Sequence, residues 1–352
     1  MKILLVSALP PPYGGISIWT KRILEYTAGT DLSYFLVNTA VNGRRANNLL
    51  EKRKLSDEIR RTLRIYKDLK DGVKKIVPDL VHINSPCTFF SVCRDLPVVF
   101  WLHQRKVPVI IHCRCNIEDQ IGNGIIQNRL LSAMLRKASK CIVLNTQSQQ
   151  YLHKKGIDKT VVVPNFIEDK WINSDRKPSS ACIKTAVYTG RVSHEKGFDT
   201  LLQAAKEVPE VQFFLYGKTA PQYENAVFSK TIHIMGEKSP DELMEILREA
   251  DCYVFPSLTE GFSNSLAEAM ASGLPVVATD VGANRDMIEK SGGIIIQKEN
   301  SAELVNAIKK IDDQTIRESM SEWNIAKVKR CYTIENVVNT LKSIYKEVLG
   351  KS

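Results

Sequence analysis

Two short stretches of this chain carry residue types that could act together on a charged ligand. The first reads Glu260-Gly261-Phe262-Ser263-Asn264-Ser265-Leu266-Ala267-Glu268 and follows an apolar run, 252–255, with the look of a short buried strand. Ser263 is placed to cap the helix that its successors predict. The backbone N–H groups of Ser263, Asn264, Ser265 and Leu266 would then face an anion, and a helix N-terminus suits a diphosphate. Glu260 falls in the loop before that helix. Glu268 falls about one turn inside it, where its carboxylate could accept hydrogen bonds from ribose hydroxyls. The same residues also fit an ordinary capped helix with a solvated glutamate. The second stretch is Gly190-Arg191-Val192-Ser193-His194-Glu195-Lys196-Gly197, a glycine-bounded loop between a predicted strand at 183–189 and a helix starting at Phe198. Arginine grips phosphate through a planar fork and lysine acts as a point charge, so the two could neutralise a diphosphate. A merely solvated loop would have the same composition.

The elements that must position these loops follow from apolar patterning. Short apolar runs at 2–6, 34–38, 80–83, 107–112, 140–144 and 160–163 alternate with helix-like stretches at 17–28 and 55–76. In the latter, Ile59, Leu63, Tyr66, Leu69 and Val73 share one predicted face. A polar stretch with one proline, 173–181, reads as a linker. The pattern then restarts, with strands at 183–189, 211–216, 252–255 and 275–278 and helices at 198–206, 240–249 and 264–272. Strand–helix alternation predicts α/β architecture with parallel sheets covered on both faces. The expected organisation is two Rossmann-like, doubly wound domains, 1–170 and 171–333, and a terminal helix at 334–352. In such folds ligands bind at the carboxyl ends of the strands, which for two facing domains means a cleft.

The two loops, in this order and about seventy residues apart, resemble those of the retaining glycosyltransferases of family 4, which have the GT-B fold. The stretch Ser272-Gly273-Leu274-Pro275-Val276-Val277-Ala278-Thr279-Asp280-Val281-Gly282 carries the same resemblance, as do Val161-Val162-Val163-Pro164-Asn165 and the pair Gly14-Gly15. By that resemblance Gly190, Arg191 and Lys196 hold a donor diphosphate, and Glu268 binds the ribose. The backbone of Phe262, Ser263, Asn264, Ser265 and Leu266 cradles phosphate and sugar, and Gly15 lets the first loop approach the donor. Glu260 contacts the transferred sugar at the reaction centre. His112, at the end of the strand 107–112, stands at the family's sugar-contacting histidine; a lone histidine at a strand end is more often structural, and the resemblance brings the two readings level. Phe166, Lys218 and Ala283 stand where the family usually has glycine. The resemblance also implies a metal-independent reaction with no cofactor, a nucleotide-sugar donor, and a glycan or polyprenyl-diphosphate-linked acceptor held by the first domain. It implies a last helix that crosses back to that domain, and Ile334, Val337, Val338, Leu341, Ile344, Tyr345 and Val348 form a suitable stripe. Bacterial surface-polysaccharide or lipopolysaccharide synthesis is the context that it suggests.

Composition narrows the rest. The 352 residues carry a net charge of +10, placed unevenly. Residues 1–169 hold 26 basic and 14 acidic residues, net +12, and residues 44–75 alone hold 12 basic and 5 acidic. Such a balance points to an anionic partner, here expected to be an acidic membrane surface near the helix 55–76. Nucleic acid is the rival reading of charge alone, but the chain carries no helix-turn-helix, zinc-finger or aromatic RNA-binding pattern. The eight cysteines include no CxxC pair, and Cys113 and Cys115 are spaced poorly for zinc. They read as reduced thiols of a cytoplasmic protein, peripheral on the inner face of the membrane. The apolar start runs into Pro10-Pro11-Pro12, which suits a first strand and glycine loop better than a signal peptide. His82, His103, His153, His194 and His233 form no ligand pattern. A sugar-nucleotide epimerase or a phosphorylase on the same architecture is the alternative enzyme class.

Overall fold

The computed structural model describes residues 1–41, 55–122, 124–172, 180–224 and 226–350, which form two units. Residues 42–54 and 173–179, which hold part of the basic run and most of the expected linker, lie outside the described residues.

The first unit contains β1 (Lys2–Ser7), β2 (Ser33–Asn38), β3 (Leu80–Ser85), β4 (Val109–Cys113), β5 (Lys140–Val143) and β6 (Thr160–Val162). They form one sheet in the order β2-β1-β3-β4-β5-β6, parallel throughout. Its helices are α1 (Gly15–Thr27), α2 (Leu55–Ile76), α3 (Phe89–Gln104), α4 (Ile117–Ile121), α5 (Ile125–Lys137) and α6 (Thr146–Lys154). Ile3, Leu4, Leu5 and Val6 of β1 are all buried. An unbroken apolar run is what a strand covered on both faces requires.

The second unit repeats the plan with β7 (Thr185–Thr189), β8 (Gln212–Tyr216), β9 (Ile232–Gly236), β10 (Cys252–Phe255), β11 (Val276–Thr279) and β12 (Gly293–Ile296). The order is β12-β11-β10-β7-β8-β9, again all parallel. The helices α7 (Phe198–Glu207), α8 (Pro240–Glu249), α9 (Asn264–Ala271), α10 (Asn284–Ile288), α11 (Ser301–Lys310) and α12 (Gln314–Cys331) complete it. Gly293 lies on β12 where a Cβ would come within 2.2 Å of the Val276 carbonyl oxygen, so only glycine lets that strand sit beside β11.

The last helix, α13 (Ile334–Val348), belongs from Val337 onward to the first unit. Val337, Val338, Leu341, Ile344 and Tyr345 of the expected stripe are buried, and Ile334 and Val348 at its two ends are half-buried. Tyr345 Oη lies 2.7 Å from His82 Nδ1 and 3.0 Å from Tyr34 Oη. Lys342 pairs with Asp31 at 2.6 Å and Glu347 with Lys140 at 2.7 Å.

Two expectations change. The chain enters the second unit after Asn165, several residues before the boundary read from the sequence. Ile167 donates its N–H to the Tyr332 carbonyl at 2.9 Å, and Trp171 is buried with its indole N–H 3.2 Å from Asp241 Oδ1. These contacts draw 166–172 onto the second sheet's own elements. On α2 the face 59-63-66-69-73 does not turn inward as a whole: Ile65 and Leu69 are buried, whereas Ile59 and Leu63 are exposed. The apolar residues of that helix form two stripes, and the sheet takes the one that carries Ile65 and Leu69.

Leu341 is fully buried. Leu341→Ala is expected to lower the unfolding free energy by ~3 kcal/mol, as other buried leucines do. A denaturation midpoint within error of the wild type would show that α13 does not seal this core.

Candidate functional site

In the second unit the predicted residues gather at the carboxyl ends of β7 and β10. The loop after β7 begins at Gly190 with φ +146°, its N–H bonded to the Tyr216 carbonyl at 2.9 Å. Gly217 stands opposite, where a Cβ would lie 2.0 Å from the Gly190 carbonyl oxygen. Tyr188 Oη donates to the Arg191 carbonyl at 2.8 Å and fixes the turn from below. Val192 and Ser193 are buried, and Arg191 is exposed. A short 3-10 turn, His194–Lys196, ends at Gly197, φ +74°, whose absent Cβ would fall 1.8 Å from the Pro256 carbonyl oxygen.

That close approach joins the two loops. Leu258 N–H donates to the Glu195 carbonyl at 3.0 Å. Lys196 Nζ then lies 2.5 Å from Glu260 Oε1, and Ser257 Oγ donates to the same oxygen at 3.0 Å. The Glu260 side chain is 11% exposed and that of Lys196 32%, so the pair is sheltered but open on the lysine side. Thr279 Oγ1 donates to the Ser257 carbonyl, and Ala283 N–H to the Gly261 carbonyl at 3.1 Å. Gly282, φ +53°, leaves room for the Glu260 carbonyl, which a Cβ would meet at 2.0 Å. Glu260 is thereby held through backbone and side chain alike.

The helix beyond it, α9, is capped by Ser263, whose Oγ accepts from Leu266 N–H at 3.2 Å. This corrects part of the expectation: the Leu266 N–H is used by the cap and is not left for an anion. Phe262 and Leu266 are buried side chains, with the Phe262 ring 5.3 Å from that of Tyr332, so these two positions offer a ligand only backbone. Ser265 hydrogen-bonds the Tyr253 hydroxyl, and burial, with a smaller push from the Glu268 charge, holds that phenol well above its ordinary range. Glu268 itself is partly exposed.

The remaining two predicted residues are in the first unit. Gly15 opens α1, and a Cβ there would meet nothing within 4 Å. No packing in the described structure requires glycine at that position. His112 is the penultimate residue of β4 and is fully buried. Its ring packs edge-on to Trp19 at 5.6 Å and beside His82 at 5.4 Å. His112 Nε2 lies 3.0 Å from Arg114 Nη1, and Arg114 Nη2 donates to Asn165 Oδ1 at 2.6 Å. A guanidinium only donates, so Nε2 is the bare nitrogen and Nδ1 carries the hydrogen. Burial first, then the Arg114 and His82 charges, push His112 well below its ordinary pKa. The sequence reading placed this histidine against a sugar. In the structure it is enclosed and neutral, and the partly exposed cation beside it is Arg114, stacked 4.7 Å over Trp19.

Sequence reasoning missed Arg114, Ser257 and Thr279. Arg114 carried one signal, its place between Cys113 and Cys115 directly after His112. Thr279 stood inside the stretch 272–282 that carried the family resemblance and Ser257 stands three residues before Glu260, but neither residue type pointed to its contact with the Glu260 loop.

Two outcomes follow from this geometry. Gly282→Ala is expected to cost about 2 kcal/mol, the order of a strained backbone position, and to displace Glu260; an unchanged melting temperature would count against the clamp. His82 and His112 are both held neutral in the folded chain, His82 down to about 3, chiefly by burial. Below about pH 6.5 the unfolded chain binds protons that the folded chain refuses. Stability is therefore complete above that pH and falls as pH drops toward 3, by about 1.4 kcal/mol per unit for each ring. Denaturant unfolding across pH 4–7 should show this slope roughly halved in His112→Gln; an equal slope in both proteins would mean that the ring is accessible.

Residues 13–171 match the family described as Glycosyltransferase Family 4, and residues 183–313 match Glycosyl transferases group 1. An uncharacterized glycosyltransferase of Methanocaldococcus jannaschii is 22% identical over 99% of this chain and 99% of its own length. The lipopolysaccharide core biosynthesis mannosyltransferase LpsB of Rhizobium meliloti is 27% identical, over 80% of this chain and 88% of its own length. The crystal structure of Anabaena HepE in complex with UDP superposes with a TM-score of 0.75 at 16% identity, covering 99% of this chain and 100% of that one. With both sheets, both loops and nearly the whole length accounted for, the chain belongs to the family 4, group 1 glycosyltransferases and has their GT-B fold.

Proposed function

We propose that this glycosyltransferase moves a hexose or N-acetylhexosamine from a nucleotide-diphosphate sugar to a glycan or polyprenyl-diphosphate-linked acceptor, with retention at the anomeric carbon. The reading places it in bacterial surface-polysaccharide or lipopolysaccharide synthesis, cytoplasmic and peripheral on the inner face of the membrane through its basic first unit. The names of relatives such as LpsB support the context. Among the described residues no helix is long and apolar enough to cross a membrane.

The observation that carries the chemistry is the Lys196–Glu260 pair beside the start of α9. An ammonium has three hydrogens, so Lys196 can keep Glu260 in place and still donate to a phosphate oxygen. Arg191 adds a second, exposed cation, and the first turn of α9 adds backbone dipole. Together they stabilise the departing diphosphate, the largest charge to develop in the reaction, without calling on a metal. Glu260, fixed by Lys196, Ser257 and the backbone at Gly282, orients the sugar, and Glu268 takes the ribose. In the reaction the bond from C1 to the phosphate oxygen breaks and the acceptor oxygen bonds to C1 on the same face. The acceptor's proton passes to the leaving phosphate.

Thermal unfolding with UDP, GDP, ADP or CMP, with and without EDTA, tests the donor site. One nucleotide is expected to raise the melting temperature in both buffers, stabilising by about 2.7 kcal/mol at a hundred times its dissociation constant. Glu268→Ala should lose most of that shift while its unliganded melting temperature stays within a few degrees. No shift with any nucleotide would remove the donor-site assignment.

A further inference from the structure

The first unit exposes an apolar patch at one end of two neighbouring helices. At the start of α3, Phe89 and Phe90 are 42% and 50% exposed; at the start of α5, Ile125 and Ile126 are 68% and 67% exposed. Gln127 Nε2 donates to the Cys87 carbonyl at 2.8 Å, which sets the first turn of α5 against the residues that lead into α3. At the far end Lys137 Nζ lies 5.8 Å from the Phe100 ring, so the two helices run side by side. The outward line of α3 continues through Cys93, Pro97 and Phe100, all exposed and none charged. Four large side chains this open, at adjoining helix ends, exceed the scattered apolar exposure of an ordinary surface.

Among the described residues, α3 and α5 expose basic side chains and no acid, with Arg129 next to the patch and the other cations at the far ends of the two helices. Beyond the apolar residues, the exposed side chains of α5 are Arg129 and Arg136, and exposed Arg105 and Lys106 follow α3. The one acid on α3, Asp95, is buried against Arg94 at 2.7 Å, and α5 has no acid. The exposed acids Glu118 and Asp119 are on α4, which Gln127 Nε2 ties to the start of α5 through the Gln120 carbonyl at 3.4 Å, so they border the patch, but residues 1–169 as a whole carry a net charge of +12. A second copy of the chain would set this net positive charge against itself. An anionic lipid surface offers both apolar depth and negative charge.

We propose that the first unit docks on an anionic bilayer with the tips of α3 and α5 inserted among the headgroups, Phe90, Ile125 and Ile126 leading and Arg129 at the rim. This rests on the membrane reading above and relocates it: the sequence placed attachment at α2, whose outward stripe of Ile59 and Leu63 is interleaved with exposed Asp68 and Asp71 as well as lysines. The apolar tips supply depth, and the cations supply the preference for acidic lipid.

Co-sedimentation of the full chain with vesicles of phosphatidylcholine, alone or mixed with phosphatidylglycerol, tests it. The wild type is expected to bind the mixed vesicles and to leave pure phosphatidylcholine largely unoccupied. Phe90→Ser with Ile126→Ser should reduce partitioning at least about tenfold, with melting temperature and nucleotide response unchanged. Val227→Ser, which removes a 98%-exposed apolar side chain of the second unit, should bind as the wild type does. Failure to bind either vesicle would overturn the proposal. So would binding that survives the double substitution and disappears instead in Lys67→Glu with Lys70→Glu and Lys74→Glu. A dimer in sedimentation velocity that the double substitution dissolves would assign the patch to a second copy. The nucleotide response, read on the same proteins, keeps failure of the donor-site reading apart from failure of this one.

Discussion

The arrangement around Glu260 in the second unit depends on close approaches between neighbouring loops that glycine alone permits. Gly197 admits the Pro256 carbonyl, Gly217 the Gly190 carbonyl and Gly282 the Glu260 carbonyl, each nearer than any Cβ would allow. Once the loops after β7 and β10 are that close, Lys196 and Glu260 meet at 2.5 Å, and Ser257 completes the carboxylate's partners. The ion pair is thus a consequence of backbone fit. It survives partial burial because the carboxylate has a hydroxyl donor as well as the ammonium, and the open side of the lysine leaves hydrogens for a ligand.

The first unit is organised around a different constraint, a set of buried polar groups in its sheet. His82, Asn84 and Ser85 on β3 and His112 on β4 are buried where apolar residues would ordinarily stand. Tyr345 of α13 reaches His82, Asn84 Nδ2 donates to Ser7 Oγ at 2.9 Å, and Arg114 reaches His112. The terminal helix therefore does more than cover an apolar face: it supplies a partner for a buried imidazole. Paired in this way, the histidines stay neutral, and Arg114 is fixed between His112, Asn165 and the Trp19 face.

Charge and apolarity divide the labour of the two units. The basic excess of the first half sits on a unit whose α3 and α5 also expose phenylalanine and isoleucine tips. The second unit carries the compensated cations, one of them already engaged with a carboxylate.

Much of this was legible in the sequence, for local reasons. The alternation of apolar runs and amphipathic stretches gave two parallel α/β units, because strands covered on both faces must be apolar throughout. The glycines and cations at 190–197 and the capped turn at 260–268 marked two loops that the structure brings together, because their conformational and charge requirements are local. The stripe on α13 marked a packed helix. Tertiary structure alone decided the rest. Periodicity shows that α2 has apolar residues but not which of its two stripes the sheet takes, so Ile59 and Leu63 came out exposed. A histidine at a strand end reads alike whether it faces a ligand or a tryptophan, and only the packing of Trp19, His82 and Arg114 made His112 a buried neutral ring. Thr279 and Gly282 stood in a stretch that carried the family resemblance and Ser257 stands three residues before Glu260, but what each does for Glu260 appears only where the loops converge, since contact between residues far apart in the chain leaves no periodic mark.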